Sequence, residues 1–423
     1  MRALVFALCR PNIRLIQIKS ILVPKGGTMK KLALLVLVFV PMILSSCKPV
    51  KQPVGQPVIV YQTSYSANDS IESQIFSKDP ITGATVKLTS DPKGAYLRAV
   101  SRDGQKILFE LGSENGFWVI NTNGTGLAKI TEAKQFFASS VPYGHPSADW
   151  SWDGKKFALV EYGLMCLYKA DGSGEKCLSL KAKDFLPYCE NCERLFANGG
   201  ENYGDYIPTP AFPSSLQWSP DGKTIAFSSE EGVVYLFNVG GKQVTLRIIE
   251  KFARSPSWSP DGKKIAFYGW ANEENQSSPQ NPFGSDTLFV VKSTDLSTIA
   301  TFKVEPNLDR PEWSPDGKKI VTSLMAKDSA GEMTVYNAEI HVFDLTGSAQ
   351  VVVSRRKMKE SDIFPTWSFD GKKIAFVRYI SESYPMIITN TQICLFDFPS
   401  KTVRVLEDYS DFAEIRGLEW SLK

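Results

Sequence analysis

The sequence predicts an all-β fold, a single β-propeller of four-stranded antiparallel blades, and three observations carry that prediction. The hexapeptide Trp-Ser-Pro-Asp-Gly-Lys and its variants recur along most of the 423 residues. A second hairpin follows the hexapeptide in most units. The composition, with 12% aromatic residues, 30 Gly and 25 Pro, suits many short strands separated by turns, and no long apolar run of helical period occurs after residue 60.

Aligned on Asp-Gly, the copies are Val100–Gly104, Trp150–Gly154, Trp218–Gly222, Trp258–Gly262, Trp313–Gly317 and Trp367–Gly371, about 40 to 68 residues apart. Glycine supplies the positive φ of a tight turn, aspartate accepts a nearby backbone N–H, and proline fixes φ as the chain leaves the first strand. A strand-like run follows, as in Lys264–Phe267 and Lys373–Phe376, so each copy reads strand, turn, strand. The second hairpins are Phe117–Gly124, Cys166–Gly172, Val234–Gly240, His341–Gly347 and the stretch from Cys394. Four strands per unit at this interval mark propeller blades, which protect their edges by closing radially. The indole of each copy is expected to fill the space between neighbouring sheets.

The chain ends decide the count. Leu418–Lys423 is a seventh copy of the first strand, cut off before its Asp-Gly. Val58–Tyr61, Ser73–Phe76 and Thr85–Leu88 read as the missing second, third and fourth strands, with Asp79–Gly83 as an outer turn. Seven blades are therefore expected, closed by strand 418–422 pairing with the N-terminal strands; six is the alternative.

The Trp-Ser-Pro-Asp-Gly-Lys-Lys-Ile-Ala-Phe pattern resembles the TolB-type propeller repeat, a relative of WD40-like blades, over residues 58–423. The TolB propeller has six blades, and the resemblance speaks to fold far more than to function. A second resemblance lies upstream. Met29-Lys30-Lys31, the apolar run Leu32–Leu44 and Ser45-Ser46-Cys47 follow the order of a secretory signal, and Leu44–Cys47 resembles the lipobox of bacterial lipoproteins. The apolar run is 13 residues, short of the roughly 20 needed to span a bilayer. The expected organisation is a misannotated upstream extension at 1–28, a lipoprotein signal peptide at 29–46, a tether at 47–57 beginning with lipidated Cys47, and the propeller at 58–423. The resemblance implies export and lipid anchoring to a bacterial membrane on its periplasmic or extracellular face; a monomer is expected.

Lys+Arg total 48 against 45 Asp+Glu, with no basic stripe to neutralise phosphates, so nucleic acid is not an expected partner. An exported domain permits disulfides. A turn centred on Asp171-Gly172 sets Cys166 opposite Cys177, and Cys189 and Cys192 would staple a long insertion, while Cys394 reads as a buried strand residue. No cofactor or metal is expected. His145 and His341 are the only histidines, and no Gly-x-Ser-x-Gly elbow occurs, so the protein is expected to be non-catalytic.

In a meander the Asp-Gly turns share one face, and the second-to-third loops and blade connections share the other. Segments Gly269–Asp286, Met325–Asn337 and Ile380–Thr391 read as long loops, and Glu132–Ala148 and Lys181–Pro213 as long connections, all on that second face. Its candidate binding residues are Phe137, Tyr143, His145, Tyr188, Tyr203, Tyr206, Trp270, Phe283 and Tyr384, aromatics suited to anchoring a protein or peptide of the cell envelope. Binding or cleaving a glycan is the alternative.

Overall fold

A computed structural model describes residues 55–67, 70–114, 116–131, 147–161, 164–174, 176–179, 216–228, 233–239, 245–250, 253–270, 287–305, 309–327, 333–346, 349–353, 360–381, 388–409 and 413–422. These form seven four-stranded antiparallel sheets and no helix among the described residues. The chain enters through β1 (Pro57–Ala67), β2 (Ser70–Lys78) and β3 (Thr85–Lys87). Blade 1 is β4 (Ala95–Val100), β5 (Lys106–Leu111), β6 (Phe117–Asn121) and β7 (Ala128–Thr131); blade 2 is β8 (Ser147–Trp150), β9 (Lys156–Glu161), β10 (Leu164–Lys169) and β11 (Lys176–Ser179). Blade 3 is β12 (Leu216–Trp218), β13 (Thr224–Ser228), β14 (Val233–Asn238) and β15 (Thr245–Glu250); blade 4 is β16 (Arg254–Trp258), β17 (Lys264–Gly269), β18 (Thr287–Lys292) and β19 (Thr298–Lys303). Blade 5 is β20 (Glu312–Trp313), β21 (Lys319–Lys327), β22 (Met333–Asp344) and β23 (Ala349–Val353); blade 6 is β24 (Glu360–Trp367), β25 (Lys373–Ser381), β26 (Ile388–Asp397) and β27 (Thr402–Tyr409). Blade 7 joins the termini in the order β28 (Ala413–Leu422), β1, β2, β3. Seven blades and the terminal closure are as expected, although the closing strand starts at Ala413 rather than Leu418.

The repeated turn is a hydrogen-bonded clamp. In all six complete copies the serine hydroxyl donates to aspartate Oδ1 at 2.6–2.8 Å. That oxygen also accepts the N–H two residues on, at 3.0–3.1 Å. The serine Oγ in turn accepts the N–H five residues on, at 2.9–3.0 Å. Each glycine donates to the serine carbonyl at φ between 64° and 68°, where a side chain would be strained. Burial alone would raise the carboxyls of Asp153, Asp261, Asp316 and Asp370; the serine hydroxyl and backbone N–H bonds outweigh it and hold them below the usual range.

Seven apolar clusters each join two successive blades, so every sheet is covered on both faces. Trp150, Trp218, Phe227 and Phe267 are almost fully buried in them, each contributing about 2–3 kcal/mol by area. The cluster between blades 6 and 7 contains Ile59 and Tyr61 from β1 and Leu418 and Trp420 from β28, so closure buries residues from both ends of the chain. In blade 2, Cys166 lies opposite Cys177, and the two form a disulfide. Cys394 is free and buried, and burial pushes its thiol up to about 12.

Ser259 is fully buried and serves the blade 4 clamp as donor and acceptor. Ser259→Ala leaves the Lys264 N–H without that acceptor and should lower the unfolding free energy by about 1–3 kcal/mol in denaturant titrations; an unchanged midpoint would show that the clamp adds nothing to stability.

Candidate functional site

The two ends of the ring differ. At the turn face the Asp-Gly turns lie side by side, Pro220, Pro260 and Pro315 each standing next to the following blade's glycine. At the loop face the blades are unequal. Second and third strands run 5–6 residues in blades 1 to 4 but 9–12 in blades 5 to 7. Since the turn ends are in register, the extra length stands above the loop face as a three-blade ridge. This corrects the expectation of long loops at Met325–Asn337 and Ile380–Thr391. Pairs Met325↔Ala338, Lys327↔Met333, Tyr379↔Thr391 and Ser381↔Ile388 continue the ladders through them, because backbone pairing tolerates the polar Thr389-Asn390-Thr391-Gln392 run.

Inner strands are bulged in blades 4, 6 and 7. Ser255 and Phe364 have φ of 53° and 55°, three residues before Trp258 and Trp367, and Gly417 takes the same place before Trp420 at 73°. Ladder registers shift at all three. A bulky residue in this region is strained and must be held. Asp309 does so, its Oδ2 accepting the Phe364 N–H at 2.8 Å and the Ser323 hydroxyl. Burial raises this carboxyl to about 6, against the pull of those two bonds. Nearby, Asp362 accepts Arg378 Nε at 2.7 Å and Nη2 at 2.8 Å, with Glu360 3.9 Å from the same guanidinium. His341 sits half-buried in β22, 3.8 Å from Glu339 and 6.3 Å between ring centres from Phe343. Burial lowers its pKa despite Glu339, which keeps it neutral near pH 7.

In three blades the residue before the recurrent tryptophan reaches an inner strand of the next blade. Asp149 Oδ2 accepts the Trp218 N–H at 3.0 Å, Gln217 Oε1 that of Trp258 at 2.5 Å, and Glu312 Oε1 that of Trp367 at 2.8 Å. These bonds satisfy N–H groups of inner strands that have no further strand to pair with. The same column supplies Glu419 from the closing strand. Arg102 and Arg310 both act electrostatically on Asp149, Glu312 and Glu419. Burial raises all three carboxyls against the two arginines, Glu419 to about 7. Three carboxyls and two guanidiniums thus interact here, and burial keeps Glu419 protonated up to about 7. Arg102 also stacks on Trp152, 5.2 Å from the ring centre.

Of the candidate binding residues, Trp270 stands half-buried just after β17 at the loop face. Phe137, Tyr143, His145, Tyr188, Tyr203, Tyr206, Phe283 and Tyr384 lie outside the described residues, as do Cys47, Cys189 and Cys192. Among the described residues no group of three His, Cys, Asp or Glu is arranged to hold a metal ion. Sequence reasoning missed the axial charges. Their signal was the column before the tryptophan, where Asp149, Gln217, Glu312 and Glu419 stand against Ala99, Ser257 and Thr366; Arg102 and Arg310 occupy no repeated column of charge.

A carboxyl whose pKa is raised on folding stabilises the fold fully below its unfolded value, and that contribution is lost as pH rises through the folded one. For Glu419 the window runs from 4.5 to about 7. Between about pH 5 and pH 8 the wild-type melting temperature should therefore fall more than that of Glu419→Gln. Parallel pH profiles would show that Glu419 does not titrate in this window.

No protein-family model matches the chain, and no curated protein matches it either. Solved structures do. A protein from Bacteroides uniformis provisionally named a 6-phosphogluconolactonase is 15% identical with a TM-score of 0.51, covering 85% of this chain and 100% of its own. One of the same provisional name from Bacteroides fragilis is 14% identical with a TM-score of 0.50, covering 86% and 98%. TolB from Acinetobacter baumannii is 16% identical with a TM-score of 0.40, covering 87% and 83%. At these identities the likeness is one of fold, and the fold is a seven-bladed β-propeller.

Proposed function

We propose that the protein is a non-catalytic binding module of the bacterial cell envelope that takes a protein or peptide partner on its loop face. The ridge of blades 5 to 7 is the observation that carries this reading. It adds a raised, hydrogen-bonded wall to one face of a scaffold whose apolar interior is already consumed by blade-to-blade packing, and rigid scaffolds concentrate recognition on such variable faces. Strained Phe364, held by Asp309, lies at its foot. The Cys166–Cys177 disulfide favours an oxidising, exported setting, in keeping with lipid attachment at Cys47. Pro57 pairs with Leu422 at the turn-face end of blade 7.

Carbohydrate recognition is the second reading, favoured by half-buried Trp270 beside a face rich in carboxylates and by neighbours named for a sugar-acid lactone. Cys47→Ser should move the protein from the membrane to the soluble fraction and provide bait for envelope extracts and for a glycan array. A protein captured by this bait and lost with Trp270→Ala is expected. Glycan binding without a protein partner would overturn the first reading.

A further inference from the structure

A cleft of about 490 Å³ opens at the turn face between blades 5 and 6, lined among others by Pro315, Asp316, Lys319, Trp367, Asp370 and Phe398. The junction before it shows what such a place accommodates. Between blades 4 and 5, the ammonium of Lys264, six residues after Trp258, lies 5.5 Å from the centre of the Trp313 ring. The residue opposite Lys264 in the ladder is Lys292, which offers no counter-charge, and the ammonium lies 3.6 Å from Asp261 Oδ2. Blade 5 has Lys319 in the same position, but its ladder partner is Asp344, which holds the ammonium at 2.8 Å. No cation therefore lies over Trp367 among the described residues. Instead the indole stacks on Phe398, centroids 5.2 Å apart and planes 16° apart, where blade 5 has Leu345. The buried Trp367 Nε1–H has no partner, whereas Trp313 donates to the Ser257 carbonyl at 3.1 Å.

The charges around the cleft favour the same kind of occupant. Asp316 and Asp370 use Oδ1 in their turn clamps, and Oδ2 of each has no partner among the described residues. Lys319 and Lys372 line the cleft with these two carboxylates, and the Lys319 ammonium is turned to Asp344. The cleft thus offers carboxylate oxygens beside an aromatic wall. At the next junction Lys373 is likewise drawn to Asp397, at 3.5 Å, but Pro80 stands where Phe398 would be and the wall is lost.

We propose that this cleft binds the side chain of a lysine from a partner polypeptide, its ammonium over the Trp367–Phe398 pair and near the Asp316 and Asp370 carboxylates, in the slot that Lys264 fills one blade earlier. The site is on the face opposite the ridge and does not depend on the function proposed for that face.

The test follows the indole N–H signals of the full chain by NMR, with Trp367 assigned from a Trp367→Phe sample. The probe is Nα-acetyl-lysine N-methylamide, and the control is its norleucine counterpart, which lacks the ammonium. The lysine probe should shift the Trp367 signal saturably and bind about fivefold or more tighter than the control. Asp344→Asn frees Lys319 to cover Trp367 and should weaken the probe by a similar factor. Phe398→Leu, which copies the blade 5 arrangement, should weaken it too and serves if Asp344→Asn fails to fold. Equal binding of the two probes, no saturable shift at Trp367, or full affinity in the variants would overturn the proposal.

Discussion

Every sheet here has two apolar faces and no way to cover either alone. Blade on blade is the only solution the sequence offers, and a stack of blades leaves two bare faces unless it closes. Closure is therefore the constraint from which the rest follows. It explains why the last strand must come from one end of the chain and the other three from the opposite end, and why Trp420 and Tyr61 share a cluster. It also moves every inner-strand edge to the axis, where side-chain acceptors rather than a further strand must satisfy the backbone.

That arrangement loads the axis with charge. Asp149 and Glu312 are there because a tryptophan N–H in the next blade needs an acceptor, and a carboxylate serves well only if its own charge is met. Arg102 and Arg310 meet part of it. Burial nevertheless raises Glu419 to about 7, so it exchanges its proton near neutrality.

Much of the fold was legible because its determinants are local. A Ser-x-Asp-Gly clamp closes within six residues, so its bonds follow from the spelling of the turn, and the truncated copy around Trp420 announced the closure. The Cys166–Cys177 pairing followed from the turn centre in the same way. What was not legible depends on partners distant in sequence. The ridge strands around Thr389–Gln392 are polar, read as loop, and become strand only because β25 continues beside them. Arg310 reaches the axis by the path of a blade connection, and whether Lys319 covers a tryptophan or an aspartate depends on one residue of the neighbouring strand. Eight of the nine candidate binding residues fall outside the described segments, so the candidate site was located by face rather than by residue.

The antiparallel pairing of β1 with β28 and β2 has a mechanical meaning. A pull on the chain at Pro57 runs along β1, parallel to both ladders, so their hydrogen bonds bear the load together in shear instead of parting one at a time. Tension on the N-terminus would thereby be spread across the same blade that closes the ring.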